Sequence, residues 1–304
     1  MPDISILIPT RNEAHNIGAC LDAVYMQECA LQFEVVVTDS GSNDETLSIA
    51  RRYPVRIYSV PPEHFHHYAR KRNFAARLAQ GNYLVYLSAD AFPASRRWLE
   101  TLTSNFLDPT VAAVYGRHLP KAGSTIERQL TLGSIYGDER IVKHIARREE
   151  LGFRYYHFSA VNAAIRRDVW EKTQFPEDLK VFEDVGIAKR ILDGGWKIVY
   201  EPRSTVFHSH NHTVQELFRR YFDAGVVWQQ LHIWDAPMRA SLVREGWRLL
   251  CGKLERRGRI LGQTGVASSV SQDLAKYAGL FLGLHERFLP LALKRHFSAF
   301  QLYE

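Results

Sequence analysis

Three short polar stretches follow apolar runs in the first third of the chain, and each carries a carboxylate. Glu13 lies in PTRNE after SILI, Asp39 begins DSGSNDET after VVVT, and Asp90 lies in SADAFP after YLVYL. Carboxylate oxygens bind hard divalent cations and accept hydrogen bonds from hydroxyl and amide groups. A single aspartate of this kind is most often a turn residue that accepts backbone N–H groups. Three carboxylates behind three strand-like runs favour a shared binding cleft.

A second group of candidate residues lies between residues 181 and 210. Glu183 and Asp184 begin a helical pattern, where carboxylates also stabilise a helix N-terminus electrostatically, so the pair alone indicates no function. His208 and His210 follow the strand-like run STVF. A lone imidazole there is more often a surface or core residue. Together with Asp90, however, His208 could complete a mixed oxygen and nitrogen site for a divalent metal.

The elements that must position these residues alternate along the first two-thirds of the chain. Strand patterns at residues 4–9, 33–39, 55–60, 83–87 and 111–116 are separated by segments with helical spacing. This alternation predicts an α/β fold with a doubly wound, mostly parallel sheet flanked by helices. Ligands of such sheets bind outside the carboxyl ends of the strands. We therefore expect the three polar loops to meet at one cleft.

Familiar phosphate-binding sequences are absent from this chain. No G-x-G-x-x-G follows the first strand, and G-x-x-x-x-G-K-[ST] does not occur. A diphosphate in the cleft would need another source of positive charge. A divalent metal on Asp90, Mg²⁺ or Mn²⁺, is the simplest candidate, because such ions often bind through carboxylates and substrate phosphates. Asp39 could instead accept hydrogen bonds from a nucleobase or ribose, or cap the helix that follows.

Composition and cysteine usage favour an ordinary globular protein of the cytoplasm. Hydrophobic residues make up 46% of the 304 residues and charged residues 24%, which argues against disorder. Cys20, Cys29 and Cys251 form neither a metal-spaced set nor an even number for a disulfide framework. The N-terminal residues do not have the pattern of a signal peptide, and no run of 18 apolar residues occurs. We expect a cytoplasmic location, and peripheral contact with the inner face of the membrane is compatible with it.

Six segments together resemble the family-2 glycosyltransferases with the GT-A fold. They are SILIPTRNE, VVVTDSGSNDET, GNYLVYLSADAFP, NAAIRRDVW, FED at 182–184 and VFHSH, and the likeness spans roughly residues 4–225. DSGSNDET, SADAFP, VAAVYGRHLP and HSHNHT…RRYFDAG most resemble the rhamnosyltransferase branch of bacterial surface-polysaccharide synthesis. The resemblance implies an inverting enzyme that binds a nucleotide-sugar donor and a saccharide or lipid-linked acceptor. dTDP-rhamnose is the first donor to expect, and UDP- and GDP-sugars are alternatives.

The resemblance also implies a role for each matching position. Asp184 is the expected catalytic base, and Asp90 and His208 are the expected metal ligands. Asp90 stands at the last position of the D-x-D motif of the family. The expected contacts with donor and acceptor are Pro9, Thr10, Glu13, Asp39, Arg72, Ser88, Asn162 and Glu183.

This sequence departs from the pattern of the family at two positions. Ser88 stands where many relatives have the first aspartate of D-x-D, which leaves metal binding to Asp90, His208 and the phosphates of the substrate. Arg11 stands where an aromatic residue is frequent. The implied mechanism is a direct displacement at the anomeric carbon, in which Asp184 takes the proton of an acceptor hydroxyl. A metal and a basic side chain would stabilise the leaving nucleoside diphosphate.

The remaining residues, 226–304, are predicted to form a helical extension of a catalytic domain at 1–225. Residues 219–234 are rich in aromatic side chains, and we expect them to shape the acceptor side. The extension is basic, with ten Lys and Arg against five Asp and Glu between residues 241 and 304. Ser269 and Gln272 have capping-box spacing, and a stripe of helical period follows at Leu274, Tyr277, Ala278, Phe281, Leu284 and Phe288.

The stripe and the charge of the extension allow two arrangements. The helix could pack on the catalytic domain, which we prefer, or lie on an anionic membrane near a lipid-linked acceptor.

Two other classes of function remain as alternatives. A nucleotidyltransferase that makes sugar nucleotides would need a glycine-rich basic loop after the first strand, where this chain has PTRNE. A catalytically silent subunit that binds sugar nucleotides or polysaccharide is the alternative that Ser88 leaves open. No nucleic-acid-binding motif accompanies the basic end, so we expect no nucleic-acid partner.

Overall fold

The computed structural model describes residues 1–235, 238–240 and 267–303. The strands are β1 Ile4–Thr10, β2 Phe33–Asp39, β3 Arg56–Ser59, β4 Tyr83–Leu87, β5 Phe92–Pro93, β6 Val111–Leu119, β7 Ile141–Lys143, β8 Asn162–Arg166 and β9 Lys197–Phe207. Within the described residues they form one nine-stranded sheet in the order β3-β2-β1-β4-β8-β6-β9-β5, and β7 pairs with β9. Each predicted strand of the N-terminal half lies in this sheet.

Helices pack on both faces of the sheet, as the α/β pattern predicts. They are α1 Ile17–Tyr25, α2 Thr46–Ala50, α3 Tyr68–Leu78, α4 Trp98–Thr103, α5 Ile126–Ile135, α6 Arg148–Leu151, α7 Arg167–Thr173, α8 Glu183–Asp193, α9 Val214–Gln230, α10 at 267–284 and α11 Leu291–Phe297. Alternate residues of β1 point to opposite faces, so Ile4, Ile6 and Ile8 pack with α1 and α4, whereas Leu7 packs with α3 and α8. This two-sided burial explains the continuous apolar run of β1.

The two halves of the sheet differ in strand direction. β1 is parallel to both β2 and β4, and β2 is parallel to β3, so these strands end at one edge. β8 then runs antiparallel to β4 and β6, while β6 and β9 are parallel. The predicted α/β fold class is confirmed, and its parallel character belongs chiefly to the N-terminal half. Along the chain, the boundary expected between residues 225 and 226 falls inside α9 and stays a prediction.

α10 packs on α9 at the distance of backbone contact. A Cβ atom added to Gly283 would lie 2.0 Å from the carbonyl oxygen of Phe222, and one added to Gly279 would lie 2.2 Å from that of Phe218. Gly225 of α9 meets Leu280 in the same way, at 2.4 Å from its carbonyl oxygen. Only residues without a side chain permit such an approach. The preferred arrangement, a C-terminal helix packed on the catalytic domain, is what the structure shows.

Of the predicted apolar stripe, Leu284 lies on the packed face of α10, whereas most of the stripe does not. Gly279, Leu280, Gly283 and Leu284 are buried, whereas Leu274, Tyr277, Ala278 and Phe281 are exposed, as is Phe288 beyond the helix. The glycines decide the contact because their backbone approaches α9 more closely than a large side chain could.

The predicted capping box of α10 was also wrong. Ser269 lies inside the helix and is buried, because residues 267 and 268 are already helical. Among the described residues, no helix combines the length and the apolar composition needed to cross a membrane.

Candidate active site

The loops after β1 and β2 are tied together by hydrogen bonds. The backbone N–H of Asn12 donates to Ser42 Oγ at 2.9 Å, and that of Glu13 donates to Thr46 Oγ1 at 2.7 Å. The parallel register places Thr10 beside Asp39, so both polar stretches leave the sheet at the same edge. The loops after β1 and β2 therefore converge, as the sequence predicted.

Asp39 holds its own loop in a turn. Its Oδ2 accepts the backbone N–H groups of Gly41 and Ser42, each at 3.0 Å. Gly41 has φ +80°, a conformation that favours glycine, and an added Cβ would lie 2.9 Å from the ring of Phe65. Asp39 is thus a turn residue at the rim of the cleft, and its contact with a nucleobase stays a prediction. Nearby, Thr10 has a buried Oγ1 without a hydrogen-bond partner in the described part of the chain, and Pro9 pairs with Thr38 in the β1–β2 register.

Asp90, His208 and His210 form a compact cluster of metal-ligating atoms. Asp90 Oδ2 lies 3.1 Å from His210 Nε2 and 3.5 Å from His208 Nε2, and the two Nε2 atoms are 3.1 Å apart. Two ligands at about 2.1 Å from one ion and at right angles lie about 3 Å apart. The donor atoms are therefore spaced as ligands of one cation would be. The structure brings the predicted Asp90 and His208 together and adds His210.

Strand pairing explains how residues so distant in sequence meet. The short strand β5 follows Asp90 and pairs antiparallel with the end of β9, with Phe92 opposite Phe207. His208 comes directly after Phe207, and its N–H donates to the carbonyl of Leu119 at 2.9 Å. The backbone of β5, β6 and β9 thus fixes the cluster.

The groups around the cluster favour an ionised Asp90 and a neutral His208. Burial would raise the pKa of Asp90, but the hydrogen bond from His210 and the charge of Lys121 outweigh it and hold this pKa well below its usual range. Burial lowers the pKa of His208 to about 4. An ionised carboxylate and a neutral imidazole are the forms that bind metals. Asp90 and His208 are thus in the forms that bind a cation at neutral pH.

Lys121 is a member of the site that the sequence did not reveal. Its Nζ lies 3.5 Å from Asp90 Oδ2 and 4.8 Å from the centre of the Phe92 ring. Lys121 follows β6, which pairs with β9, and no spacing rule links it to Asp90. Glu13 is within electrostatic reach as well, because burial raises its pKa and the charge of Asp90 adds to the shift. The loop after β1 therefore reaches the cluster.

Arg72 and Glu183 form a buried ion pair between α3 and the start of α8. Arg72 Nε donates to Glu183 Oε1 at 2.6 Å, and a terminal nitrogen donates to the carbonyl of Ala160 at 3.0 Å. Both side chains are about nine-tenths buried or more. The structure thus gives each of them a partner within the protein, and this pair positions the first turn of α8. Their contact with substrate stays a prediction.

Asp184 has surroundings that favour its protonated form. Burial and the neighbouring charge of Glu183 raise the pKa of Asp184 to about 7, while Arg72 opposes the shift. Phe182, just before α8, adopts the left-handed region with φ 54°, which turns the chain sharply before Asp184. A carboxylate with a pKa near the working pH is well suited to accept a proton.

Two aromatic rings connect the metal-ligand cluster with the surroundings of Asp184. His118 meets His208 edge to face at 5.3 Å between ring centres, and Tyr136 stacks on His118 at 4.3 Å. Burial, with a contribution from the charge of Asp184, raises the pKa of Tyr136 above its usual range. Asp184 therefore lies within electrostatic reach of a ring that supports the cluster.

The predicted substrate contact of Asn162 is corrected to a packing role. Asn162 has no exposed surface, and its amide accepts from Trp98 Nε1 at 2.8 Å and donates to the carbonyl of Ser204 at 3.0 Å. A side chain with no exposed surface and engaged polar groups has nothing to offer a ligand. Ser88 is partly exposed beside the cluster, and its backbone N–H donates to the carbonyl of Val161 at 3.1 Å. The contact of Ser88 with substrate stays a prediction.

Comparison with known proteins identifies the class of this chain. Residues 5–173 match the family model of glycosyl transferase family 2. The chain therefore belongs to glycosyl transferase family 2, as the six sequence segments predicted. Family membership favours the transferase over the nucleotidyltransferase and the silent binding subunit.

Two curated relatives cover nearly the whole chain. The O-antigen chain rhamnosyltransferase RfbN of Salmonella typhimurium is 30% identical over 302 residues, which are 99% of this chain and 95% of the relative. The O-antigen chain rhamnosyltransferase WbaN of Salmonella anatum is 29% identical over 304 residues, which are 100% of this chain and 96% of the relative. Their similarity extends through the C-terminal region beyond the family model.

A solved structure supports the fold. The mannosyltransferase PcManGT of Pyrobaculum calidifontis, solved in complex with GDP-Man and Mn²⁺, superposes with a TM-score of 0.64 at 22% identity. The alignment covers 94% of this chain and 88% of that protein. The GT-A-like architecture, a mixed sheet with flanking helices, is thereby shown.

Proposed function

We propose that this chain is an inverting rhamnosyltransferase of bacterial surface-polysaccharide synthesis. It transfers L-rhamnose from dTDP-rhamnose to a hydroxyl group of a saccharide or lipid-linked acceptor. The similarity to RfbN and WbaN over nearly the full length supports this choice of sugar and pathway. The observation that carries the chemistry is the metal-ligand cluster at Asp90, and this proposal places it in one cleft with the carboxyl group of Asp184, whose pKa is raised to about 7.

The metal in this proposal is held by Asp90, His208 and His210. The spacing of their donor atoms and the ionised and neutral forms of Asp90 and His208 support the fit. One oxygen and two nitrogen donors suit Mn²⁺ better than Mg²⁺, which prefers oxygen ligands. The bound ion would neutralise charge on the diphosphate of the donor. Lys121 adds a positive charge of the protein at the same place.

Asp184 acts as the general base. It takes the proton of the acceptor hydroxyl while the oxygen of that hydroxyl forms a bond to the anomeric carbon. The bond between this carbon and the diphosphate oxygen breaks, and the electron pair leaves with the nucleoside diphosphate. Attack opposite to the leaving group inverts the configuration in one step, and no sugar becomes bound to the protein. The raised pKa of Asp184 makes its carboxylate a competent proton acceptor near neutral pH.

The nucleotide of the donor occupies the edge formed by the ends of β1 and β2. Pro9, Thr10, Glu13 and Asp39 line this edge, and the hydrogen bonds between the two loops hold it in shape. The buried Thr10 Oγ1, which has no partner among the described residues, is a polar atom that a ligand could satisfy. Such polar groups at a concave strand edge support nucleotide recognition in open α/β sheets.

The outer face of the C-terminal helices contacts an anionic lipid surface in this proposal. Leu274, Phe281 and Phe288 are each more than 60% exposed, and Arg287 lies beside Phe288. Apolar side chains flanked by basic ones bind membranes that carry acidic lipids. Co-sedimentation with vesicles of acidic lipids should retain the wild type and lose a Phe281→Ser, Phe288→Ser variant. Equal retention of both proteins would refute the contact.

Calorimetric titration with a panel of donors tests the proposed function. The purified protein is titrated with dTDP-rhamnose, UDP-glucose, UDP-galactose and GDP-mannose, each with and without Mn²⁺ or Mg²⁺. We expect dTDP-rhamnose to bind more tightly than the others, and only when metal is present. Preference for another donor would refute the assignment to rhamnose. Folded protein that binds none of them would refute the proposed function.

A further inference from the structure

A cavity of about 330 Å³ adjoins the metal-ligand cluster on its C-terminal side. It lies between α5, α9 and α10, and His208 and His210 form part of its wall. Its lining contains no residue of the loops after β1, β2 or β4, which we assign to the donor. The two histidines thus separate the nucleotide side of the site from this cavity, to which the proposed function assigns no ligand. A volume of this size is typical of small-ligand sites.

Within the described part of the chain, two arginines of this wall, Arg128 and Arg220, form no ion pair with a carboxylate. Arg128 of α5 has a buried Nε for which the described residues offer no hydrogen-bond partner, although a guanidinium nitrogen in that position usually has one. Arg220 of α9 lies over the ring of Phe300, at 5.0 Å from its centre. Among the residues that the structure describes, no carboxylate lies within 4.0 Å of either guanidinium. Glu127 also lines the cavity, so one acidic group faces two arginines.

The chemistry of the lining points to a phosphate group. A guanidinium presents a planar fork of N–H donors that matches phosphate oxygens in pairs. Thr125, Ser268 and Gln272 add neutral hydrogen-bonding groups to the same wall. An uncharged sugar would cover both arginines without supplying a counter-charge, which is costly. A diphosphate carries enough charge to neutralise both.

We infer that this cavity binds a phosphate or diphosphate group of the acceptor, with Arg128 and Arg220 as its anchors. The inference rests on the proposed function, since it places the acceptor beside Asp184 and the metal-ligand cluster. The inference also assigns a role to α10, because this helix closes the cavity that α5 and α9 form. A sugar attached to the phosphate would extend past His208 and His210 to the reacting atoms.

Titration with inorganic diphosphate in the presence of a chelator tests the cavity itself. Without metal, the cluster at Asp90 offers little attraction, so the binding reports on the arginines. Arg128→Gln and Arg220→Gln should each weaken binding by about tenfold or more, as expected for a lost charged hydrogen bond. Arg219→Gln on the same helix, outside the lining, is the matched control and should bind like the wild type. Unchanged binding in the Arg128→Gln, Arg220→Gln double variant would overturn the inference.

Donor and acceptor sources of the phosphate are distinguished by two further titrations. dTDP with Mn²⁺ should bind the double variant as it binds the wild type, whereas loss of dTDP binding would place the arginines on the donor side and overturn the inference. Transfer to an acceptor that carries a diphosphate should show a raised KM in the double variant. Transfer to the same saccharide without phosphate should not change. If the wild type binds inorganic diphosphate through the arginines but no nucleotide sugar, the proposed function fails while the cavity site stands.

Arg128→Lys guards against a variant that fails to fold. It keeps the positive charge and loses the fork of donors, so diphosphate binding should fall less than in Arg128→Gln. Diphosphate binding by Arg128→Gln as tight as that by Arg128→Lys and the wild type, with unchanged thermal unfolding, would contradict the inference.

Discussion

Asp90 and Asp184 have opposite electrostatic surroundings. Asp90 faces His208, His210 and Lys121, and its pKa is held well below the usual range. Asp184 is partly buried and adjoins the carboxylate of Glu183, and its burial and this neighbouring charge raise its pKa to about 7. One carboxyl group is therefore always ionised at neutral pH, while the other exchanges a proton there. The neighbours decide which carboxyl group suits a metal and which suits a base.

The largest effect is expected for Asp184→Asn. Asparagine keeps the size of the side chain but cannot take a proton, so kcat should fall by about 10²–10⁴-fold. Initial rates of sugar transfer measure this loss. Asp178→Asn is a suitable control because Asp178 is highly exposed on the segment before α8. Normal turnover of Asp184→Asn would remove Asp184 from the chemistry.

Asp90→Asn should abolish tight metal binding. Loss of a partner outside the metal shell already costs 10–100-fold in affinity, so loss of the charged ligand should cost more than about 100-fold. Electron paramagnetic resonance of free Mn²⁺ in titrations with wild type and variant measures the difference. The variant is expected to stay folded, because the ion-pair partners of Asp90 among the described residues are the two histidines of the cluster and Lys121. Equal Mn²⁺ affinity in both proteins would exclude Asp90 as a ligand.

Glu183→Gln should sharpen the comparison by making Asp184 more acidic. In the wild type the base works only when ionised, so kcat/KM should fall about tenfold per pH unit below pH 7. Removing the charge of Glu183 lowers the pKa of Asp184, and the acid limb should move to lower pH. Arg72 also loses its anionic partner, which should reduce the free energy of unfolding by about 3 kcal/mol.

Rate profiles between pH 5 and pH 8 measure the shift of this limb, with Glu150→Gln on the exposed helix α6 as the control. An acid limb at the same pH in Glu183→Gln and wild type would show that Glu183 does not set the ionisation of the base.

The smallest effect is expected for His210→Asn. His210 is half exposed, whereas His208 is buried and fixed by the end of β9. Loss of His210 should weaken Mn²⁺ binding by about tenfold and leave the role of Asp184 untouched. His144→Asn serves as the control. If His210→Asn weakens Mn²⁺ binding as much as Asp90→Asn does, His210 is as important a ligand as Asp90. If Mn²⁺ affinity does not change, Asp90 and His208 are the only two ligands that this cluster supplies.

The sequence predicted the parts of the site that follow from strand order. Carboxyl ends of parallel strands meet at one edge, so the order of strand patterns was enough to assign Glu13, Asp39 and Asp90 to one cleft. Strand patterns also indicated that His208 follows the last long strand. His210 is two residues further on, where no regular element fixes its direction, so its membership could not be predicted. Lys121 reaches Asp90 only through the β6–β9 pairing, which leaves no periodic signal.

Errors arose where close packing overrides side-chain patterns. The apolar stripe of α10 suggested one buried face, but Gly279 and Gly283 bring a mostly different face against α9. Asn162 lies in a segment that matches the family, yet its side-chain amide forms hydrogen bonds with Trp98 and Ser204 in the core. The cavity at Arg128 and Arg220 depends on three helices that are distant in sequence, so no motif could reveal it.

Side-by-side titration of dTDP-rhamnose in the presence of Mn²⁺ tests the division of labour between Asp90 and Asp184 most directly. The wild type and Asp184→Asn should bind the donor equally well, because a base for the acceptor hydroxyl is not needed to hold the donor. Asp90→Asn should lose the part of the binding that depends on Mn²⁺. Loss of donor binding in Asp184→Asn, or Mn²⁺-dependent binding that survives in Asp90→Asn, would contradict this account.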